Sequence, residues 1–353
     1  MLIKVTKIFW RMLLVLRSIQ FRKIRSKLDV KSSNVVIIYP CYPRKWRPYF
    51  ISDAFANDVA LLNAVAANLD SFKIKRGTLG MREVSNCRVF LNMNSLFNVH
   101  GFRNYAVVLK DFLCQLERQS NQVFPSSHEA EFWENKVFMH RKFEKLGIKS
   151  PETLIFDLDS REMDQPNFPY PFLIKEVHSA GSLGVHKVAD KGQFLTLINS
   201  TEIRKKNRHV LVQRLLRMDR DLRVIIVGDE IVVYYWRINK SSEWKPTSTK
   251  HGSGVDFEFF PEEWREHIVT EYKKLGIRTG AFDVVWEDND YTNPPYFLEV
   301  SPSYQPNPLP PENLKTSYGK YKSSFGFTDG WDSRFIKLIQ YTKDKLVREY
   351  LKD

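Results

Sequence analysis

Cysteine is scarce in this chain of 353 residues, and the three that occur lie far apart, at Cys41, Cys87 and Cys114. An odd number of cysteines without a CxxC pair argues against a disulfide-rich scaffold and a cysteine-based zinc site. Low-complexity tracts are also missing, and the apolar and charged fractions are 43% and 27%. These fractions are typical of an ordered globular protein, and the cysteine usage predicts a reduced, cytoplasmic compartment.

Long apolar runs are missing from the basic first segment, residues 1–31. Its longest run, Met12 to Leu16, is too short to span a bilayer or to form a signal-peptide core. The segment holds nine Lys and Arg residues against one acid, Asp29, and so supplies most of the net charge of +13. We predict an amphipathic helix here that contacts the inner face of a membrane. The alternatives are a helix packed on the body of the protein and a start codon assigned upstream of the domain.

Several familiar functional signatures are absent as well. The chain has no GxxxxGK[ST] P-loop, no GxGxxG dinucleotide fingerprint and no convincing Ser/His/Asp or Cys/His arrangement for a covalent nucleophile. Beyond residue 31 the basic excess is small and is not spread over a face with interleaved aromatic residues. The sequence therefore argues against a nucleic-acid partner.

The order of the predicted elements indicates an α/β protein whose lobes share a cleft, because 353 residues exceed one compact core. Short apolar strands alternate with amphipathic helices up to about residue 125. A helix predicted over 129–146 ends at Gly147, which has the position of a C′ glycine. Long strands on both sides of Gly228 predict a hairpin.

A strand lysine and a glycine-containing loop predict a site for phosphate groups. Lys175 lies on a predicted strand, and the loop that follows contains Gly181, Ser182 and Gly184. An ammonium group attracts phosphate charge, and loop amides that close over a phosphate add hydrogen bonds. Because such a loop alone is usually an ordinary turn, its position after the lysine-bearing strand is the informative feature.

Two carboxylates and two arginines predict a metal and phosphate site. Asp283 and Glu299 each lie in an apolar strand, and a polar turn separates the two strands. Adjacent strands can place both carboxylates on one face, where they would hold one or two Mg²⁺ ions together with phosphate oxygens. Arg223 and Arg237 lie on the predicted hairpin, where they either bind phosphate or are ordinary arginines, exposed or paired with Asp221.

Taken in their order along the chain, the motif segments from Lys136 to Glu299 resemble the ATP-grasp superfamily, most closely its ribosomal-protein-glutamate-ligase and glutathione-synthetase-like branch. The resemblance covers roughly residues 125–310. It implies an ATP-grasp fold with an N-terminal α/β lobe, a small lid subdomain and a larger antiparallel-sheet subdomain. The implied boundaries are 1–31 for the basic segment, 32–125 for the N-terminal lobe, 126–216 for the lid and 217–353 for the C-terminal subdomain.

The resemblance also implies roles for individual residues. The implied catalytic residues are Arg237, Arg223 and Lys175. The implied nucleotide-binding residues are Lys136, Lys175, Gly181, Ser182, Gly184, Gln213, Leu215, Leu216 and Asp221. The implied metal ligands are Asp283, Glu299 and Ser301. Two positions depart from the family pattern. Ser301 replaces a common Asn, so the number of bound Mg²⁺ ions, one or two, stays open, and Arg214 replaces a frequent acidic residue.

The reaction implied by the resemblance is ATP-dependent ligation of a carboxylate to an amine through an acylphosphate, with Mg²⁺, or alternatively Mn²⁺, as the metal ion. Such an enzyme works by positioning and charge stabilisation. Interpretations from other classes are an ATP-dependent kinase on the same fold and a non-catalytic nucleotide-binding protein. The basic N-terminus suits a membrane-proximal acceptor, such as a cell-surface glycan or peptide, and related enzymes are often homo-oligomers.

Overall fold

The computed structural model describes residues 2–40, 53–77, 83–93, 105–133, 135–160, 166, 168–179, 182–239, 241, 243–248, 253–257, 259–304 and 333–352. The helices of these ranges are α1 Leu2–Ser18, α2 Phe21–Lys27, α3 Asp53–Asn68, α4 Tyr105–Arg118, α5 Ser127–Glu131, α6 Lys136–Leu146, α7 Lys191–Ile198, α8 Thr201–Lys206, α9 Arg265–Lys273 and α10 Ser333–Tyr350. The strands are β1 Val35–Pro40, β2 Lys73–Gly77, β3 Arg88–Phe90, β4 Gln122–Phe124, β5 Thr153–Asp157, β6 Phe172–Glu176, β7 Val185–Val188, β8 His209–Arg214, β9 Arg220–Val227, β10 Glu230–Ile238, β11 Gly254–Asp256, β12 Thr279–Val285 and β13 Tyr296–Ser301.

The first sheet is parallel, with the strand order β2–β1–β3–β4. Val36 and Ile37, neighbours on β1, are both fully buried, as expected for a parallel strand that is covered on both faces. The chain leaves β1 through α3 to reach β2 on one side, and then returns to β3 on the other side. The strand order therefore reverses between β1 and β3, and crevices at the carboxyl ends of such strands commonly bind ligands.

The second sheet is antiparallel, with the order β5–β8–β6–β7. Phe172 and Ile174 on β6 pack with Phe194 of α7 in a buried cluster on one face. Because successive side chains alternate between the faces of a strand, Leu173 and Lys175 lie on the other face. That face of the sheet borders the candidate site.

The third sheet is also antiparallel, has five strands, and runs β11–β10–β9–β12–β13. One face is the largest apolar core of the described chain, in which Val224 and Phe282 pack with Phe143 of α6 and Tyr272 of α9. Tyr272, Phe143 and Phe282 are completely buried there. This core fixes α6 and the central strands against each other, so that the opposite face of the sheet can carry charged residues without loss of the fold.

Both ends of the described chain pack on the parallel-sheet lobe. Leu346 and Val347 of α10 lie in one buried cluster with Ile37 of β1 and Leu61 of α3. Val15 of α1 lies in another cluster, with residues of α3 and α10. The closing helix thus contacts the first lobe, although it follows the five-stranded sheet in the sequence. Among the described residues, no helix has both the length and the apolar character that crossing a bilayer requires.

The predicted fold class is confirmed, since parallel and antiparallel sheets combine with helices in separate layers. The hairpin around Gly228 and the left-handed backbone of Gly147 are also confirmed, with φ angles of 64° and 65°. The prediction of one helix over 129–146 is wrong, because α5 ends at Glu131 and α6 begins at Lys136. The Asn135 side chain accepts a hydrogen bond from the Phe138 amide at 3.2 Å and caps the new helix.

Candidate active site

A cavity of about 360 Å³ lies between the β5–β8–β6–β7 sheet and the charged face of the five-stranded sheet. All the described site residues predicted from the sequence line this cavity except Gly184. Gly181 lies outside the described residues. The lining also contains residues that were not predicted, namely Trp133, Pro151, Leu173, Ser179, Val185, Arg214, Met218, Trp244, Lys245, Pro246, Thr247, Ser248, Leu298, Ser303 and Tyr304.

Strand register brings the charged residues of the five-stranded sheet together. Asp221 lies opposite Arg237 on β10, and Arg223 lies opposite Asp283 on β12. Asp283 in turn lies opposite Glu299 on β13. Because opposed residues share a face and every second residue of a strand returns to it, all five side chains belong to one face of the sheet.

Four of these five residues form a closed ion-pair network. Arg223 Nη1 donates to Asp283 Oδ1 and Oδ2 at 3.0 and 3.2 Å. Arg237 Nε donates to Asp221 Oδ1 at 2.8 Å, while Arg237 Nη2 contacts Asp221 Oδ2 and lies 2.8 Å from Asp283 Oδ2. Burial lowers the pKa of Arg237, but the two neighbouring carboxylates outweigh it and raise that pKa well above its ordinary value. Arg237 therefore remains a cation at every accessible pH.

Glu299 and Lys175 differ from this network because neither has a hydrogen bond or ion pair within the described chain. They lie on opposite sheets and both line the cavity. Burial lowers the pKa of Lys175 to about 8, with a further decrease from Lys136, whereas Glu299 and Asp283 raise it. A lysine of this kind is poised to gain a negatively charged partner.

Lys136 is the first residue of α6 and is 4% exposed. Its Nζ donates to the carbonyl oxygen of Ser179 at 2.6 Å and to Ser179 Oγ at 3.2 Å. An ammonium group has three donors, so one remains for another acceptor. These bonds fix the start of α6 to the segment that follows β6, which places Lys136 and Lys175 on the same side of the cavity.

The loop between β6 and β7 has left-handed backbone at Ser182 and Gly184, with φ angles of 62° and 74°. A Cβ atom at Gly184 would lie 2.9 Å from Cβ of Glu176, a distance that side chains do not tolerate. Gly184 accepts a hydrogen bond from the Glu176 amide at 2.8 Å. The glycine is thus required by the turn of the hairpin, while Ser179 and Ser182 are described loop residues that line the cavity.

The segment after β8 connects the two antiparallel sheets. Leu215 and Leu216 line the cavity. Arg214, which departs from the family pattern, donates to both carboxylate oxygens of Glu287 at 2.9 and 3.1 Å and to the Tyr296 hydroxyl at 3.2 Å. The side chain of Arg214 is therefore neutralised by Glu287, a residue 73 positions later in the chain.

His140 was not predicted from the sequence, although it lies beside the site. It follows Lys136 by one helical turn and is 6% exposed. Burial, together with Lys175 and Lys136, lowers the pKa of His140 to about 3. The imidazole is therefore neutral, and its Nδ1 has no hydrogen-bond partner within the described chain. The spacing of four residues from Lys136, which places both side chains on one face of the helix, is the sequence signal that could have identified His140.

The segment from Trp244 to Ser248 is a second part of the lining that the sequence did not reveal. It follows β10, the strand that carries Arg237. Ser248 and Ser253 exchange hydrogen bonds, since the Ser253 amide donates to the Ser248 carbonyl at 3.1 Å and the Ser248 amide donates to Ser253 Oγ at 2.9 Å. These bonds fix the segment beside the cavity, and its sequence, Trp-Lys-Pro-Thr-Ser, did not distinguish it from an ordinary loop.

Asp283 and Glu299, two of the three carboxylates that line the cavity, can contribute to a metal site but cannot complete one. Among the described residues, no group of three or more His, Cys, Asp or Glu side chains is arranged to hold a metal ion. Ser301 Oγ donates to the carbonyl oxygen of Ser303 at 2.7 Å. Mg²⁺ is commonly held by one or two carboxylates together with substrate phosphates. Asp283 and Glu299 therefore fit Mg²⁺ when a phosphate ligand supplies the other oxygens.

Comparison with known proteins identifies the domain. The model of the RimK-like ATP-grasp domain matches residues 134–306. An α-aminoadipate–LysW ligase, LysX, of Sulfurisphaera tokodaii is 28% identical over 127 residues, which are 35% of this chain and 44% of that protein. A D-alanine–D-alanine ligase of Prochlorococcus marinus is 26% identical over 157 residues, 41% of this chain and 43% of that protein. The matches thus span less than half the length of these curated relatives.

Solved structures agree on the fold. The D-alanine–D-alanine ligase from Bacillus anthracis superimposes with a TM-score of 0.50 and 14% identity, over 91% of this chain and 99% of that one. The same ligase complexed with ATP gives a TM-score of 0.51 and 15% identity over the same shares. At this level of identity the similarity concerns the fold.

Proposed function

Because residues 134–306 belong to the ATP-grasp ligase superfamily, we propose that this chain is an ATP-dependent carboxylate–amine ligase that forms an amide through an acylphosphate. One observation carries the proposal. A single cavity contains an ion-pair network of two arginines and two carboxylates beside an unpaired lysine and an unpaired glutamate. This combination suits a nucleotide whose phosphates meet the lysine and whose metal ion meets the glutamate.

The nucleotide would lie between the two antiparallel sheets. Apolar side chains on both sides of the cavity, Leu173 and Val185 from one sheet and Leu298 from the other, suit a flat base. The backbone of Leu215 and Leu216 would hold the edge of that base, since the Arg214 side chain is engaged by Glu287. The same cavity is lined by Lys136 and Lys175, which would bind the phosphates.

The charged face would then perform the transfer. The substrate carboxylate attacks the γ-phosphorus and ADP leaves; the amine next attacks the acyl carbon and phosphate leaves. Arg223 and Arg237 would stabilise the negative charge that develops in both steps. Asp221 and Asp283 hold these guanidinium groups in place. Mg²⁺, or alternatively Mn²⁺, would be held by Asp283 and Glu299 and would neutralise phosphate charge; a contribution of Ser301 belongs to the same proposal.

A small neighbouring cavity of about 30 Å³ supports a place for the second substrate. It lies at the carboxyl end of β3 and shares Ser303 and Tyr304 with the nucleotide cavity. Asn92, which is 6% exposed, lacks a partner for Nδ2 within the described chain. Burial lowers the pKa of Lys343 to about 8, although Asp58 raises it. An amide N–H and an ammonium suit a substrate that carries a carboxylate.

The finer parts of the proposal concern the acceptor and the location. We propose that the amide is formed on a cell-surface glycan or peptide precursor, by a cytoplasmic enzyme that is peripheral at the inner face of the membrane. The basic segment of residues 1–31 supports this location. The subdomain division at residues 31, 125 and 216 and the formation of a homo-oligomer remain predictions.

Phosphate release from ATP by the purified protein tests the proposal. The protein is incubated with Mg²⁺ and ATP against a panel of amino acids and carboxylic acids, in pairs, with the Glu299→Gln variant as control. We expect one pair to stimulate release of inorganic phosphate, with an amide product of matching mass and no stimulation in the control. ADP formation with a phosphorylated product and no free phosphate would instead indicate a kinase. ATP binding without any turnover over the panel, extended to glycan and peptide acceptors, would indicate a non-catalytic protein.

A further inference from the structure

Helix α1 has two apolar sides, of which the fold uses one. Val15 is 1% exposed and lies in a cluster with Phe55 of α3 and Phe335 of α10. Phe9 and Trp10, in contrast, are 59% and 52% exposed. One side of α1 therefore packs on the body of the protein, which is one of the alternatives drawn from the sequence. The side chains of Phe9 and Trp10 point away from the body. Packing among the described residues does not account for these two aromatic side chains.

Polar contacts at the end of α1 fix the direction in which Phe9 and Trp10 point. Asn63 of α3, which is 1% exposed, donates to the Ser18 carbonyl at 2.9 Å and accepts from the Gln20 amide at 3.0 Å. The same side chain donates to Gln340 of α10 at 3.0 Å. Because a buried amide joins α1, α3 and α10, the helix is held in one orientation on the lobe.

Exposed cations follow Phe9 and Trp10 along α1 and α2. Arg17, Arg22, Lys23 and Arg25 are all exposed, and none of the four forms an ion pair within the described chain. Phe21, between them, is 66% exposed. The acid of this segment, Asp29, is engaged by hydrogen bonds from Ser32 and from the Lys31 amide. The surface therefore combines apolar rings with positive charge that no carboxylate of the described residues neutralises.

We propose that the outward surface of α1 and α2, defined here by Phe9, Trp10, Arg17, Phe21, Arg22, Lys23 and Arg25, docks on a bilayer of anionic phospholipids. Aromatic rings settle at the level of the lipid headgroups, and a helix lying in that plane buries one face while its cations meet the phosphates. The occupant is inferred from this charge complementarity. A second copy of the chain, which would bring the same positive charge to the contact, fits this surface less well.

The position of this surface on the parallel-sheet lobe also suits access to a membrane-linked acceptor. Val15 lies in one cluster with Phe55 and Val59, and the Ser18 carbonyl accepts a hydrogen bond from Asn63, which indicates that α1 runs in the same direction as α3. Phe9 and Trp10 therefore precede the start of α3, on the side where β1 ends. That side also contains the small cavity at the end of β3. Docking would bring this cavity close to the lipid surface, where a membrane-linked acceptor would be presented.

Vesicle binding of the full-length protein tests this inference independently of the ligase reaction. Sedimentation is compared for phosphatidylcholine vesicles with and without phosphatidylglycerol, and ATP binding in each sample reports that the protein is folded. We expect anionic vesicles to bind at least about tenfold more tightly than neutral ones. The double variant Phe9→Ser/Trp10→Ser should lose at least about tenfold in binding, since both insertion anchors are removed.

Matched variants separate apolar insertion from charge. Replacing Arg17, Arg22, Lys23 and Arg25 by Gln should abolish the preference for anionic vesicles. The charge control replaces four exposed cations elsewhere, Lys187, Lys191, Lys205 and Arg208, by Gln, and the apolar control is Leu154→Ser, at a side chain that is 43% exposed. Both controls should bind like the unaltered protein. Equal loss in the controls, no vesicle binding at all, or self-association through Phe9 and Trp10 in place of lipid binding would overturn the proposal.

Discussion

Ionised groups of the described chain are paired on the charged face of the five-stranded sheet but unpaired at the rim of the cavity, defined here by Lys175 and Glu299. In the middle of the sheet, Asp221, Arg223, Arg237 and Asp283 satisfy one another. At the rim, Lys175 and Glu299 face the cavity without a partner in the described chain. The fold itself neutralises the first set, and we propose that a ligand supplies the partners of the second set. The two sets therefore differ in what stabilises their charge in the free protein, although residues of both sets belong to the proposed reaction site.

The physical reason is the cost of taking charge out of water. A buried ion pair is stable only when its hydrogen bonds are complete, and loss of one partner leaves an uncompensated charge. The network of the sheet meets this condition, because each guanidinium contacts at least one carboxylate through two nitrogen–oxygen contacts. Lys175 does not meet it, and the decrease of its pKa to about 8 is the consequence.

The largest expected effect distinguishes two neighbouring carboxylates, Asp283 and Glu299. Both Asp283→Asn and Glu299→Gln should lower turnover by roughly 10³-fold or more, because each removes a charge that stabilises metal and phosphate. Only Asp283→Asn should also destabilise the fold, by about 3 kcal/mol, since it leaves Arg223 uncompensated. The free energy of unfolding of Glu299→Gln should stay within about 0.5 kcal/mol of the unaltered protein. The measurements are phosphate release and denaturant-induced unfolding.

The matched control for this pair is Asp288→Asn. Asp288 forms an ion pair with Arg217, but its side chain is 53% exposed, so neither turnover nor stability should change appreciably. If Glu299→Gln lowers stability as much as Asp283→Asn does, the distinction between the network and the rim is wrong.

A smaller effect is expected when the unpaired lysine of the rim is removed. Lys175→Met should weaken binding of Mg·ATP by about 10–100-fold, which corresponds to a charge-assisted hydrogen bond to phosphate. Its unfolding free energy should stay equal or rise, because an uncompensated ammonium is removed. Calorimetric titration with Mg·ATP measures the affinity. Lys187→Met is the matched control, since Lys187 lies on the neighbouring β7 and is exposed; an equal loss in both variants would contradict the assignment.

Local patterns in the sequence were sufficient to predict much of the charged face. Two apolar strands on either side of a polar turn predicted that Asp283 and Glu299 lie on adjacent strands, and the observed register sets them directly opposite each other. Gly228 likewise marked the hairpin that pairs Arg237 with Asp221. These features depend on neighbours in the chain, where periodicity and turn residues carry the information.

Contacts between distant segments were not accessible in the same way. The pairing of Arg214 with Glu287 joins positions 73 residues apart, and the packing of α10 on α3 joins opposite ends of the chain. His140 was missed because its environment depends on Lys175 from another element. Such contacts depend on how the lobes pack, and a single sequence carries no periodic signal for that.

The smallest expected effect is a pH dependence of nucleotide binding that arises at the rim and not in the network. Burial and Lys136 lower the pKa of Lys175 to about 8 in the free protein, with Glu299 and Asp283 opposing them. Bound phosphates favour the ammonium form, so binding takes up a proton and the affinity falls as the pH rises through that value. Between about pH 7 and about pH 9 the affinity for Mg·ATP should fall about tenfold.

In Lys175→Met this decrease should disappear, and calorimetry in buffers of different ionisation enthalpy should show proton uptake only with the lysine present. Arg237, whose pKa its carboxylates hold well above the ordinary value, contributes nothing in this range. A decrease that persists in Lys175→Met would assign the titration to another group and remove the lysine from the phosphate site.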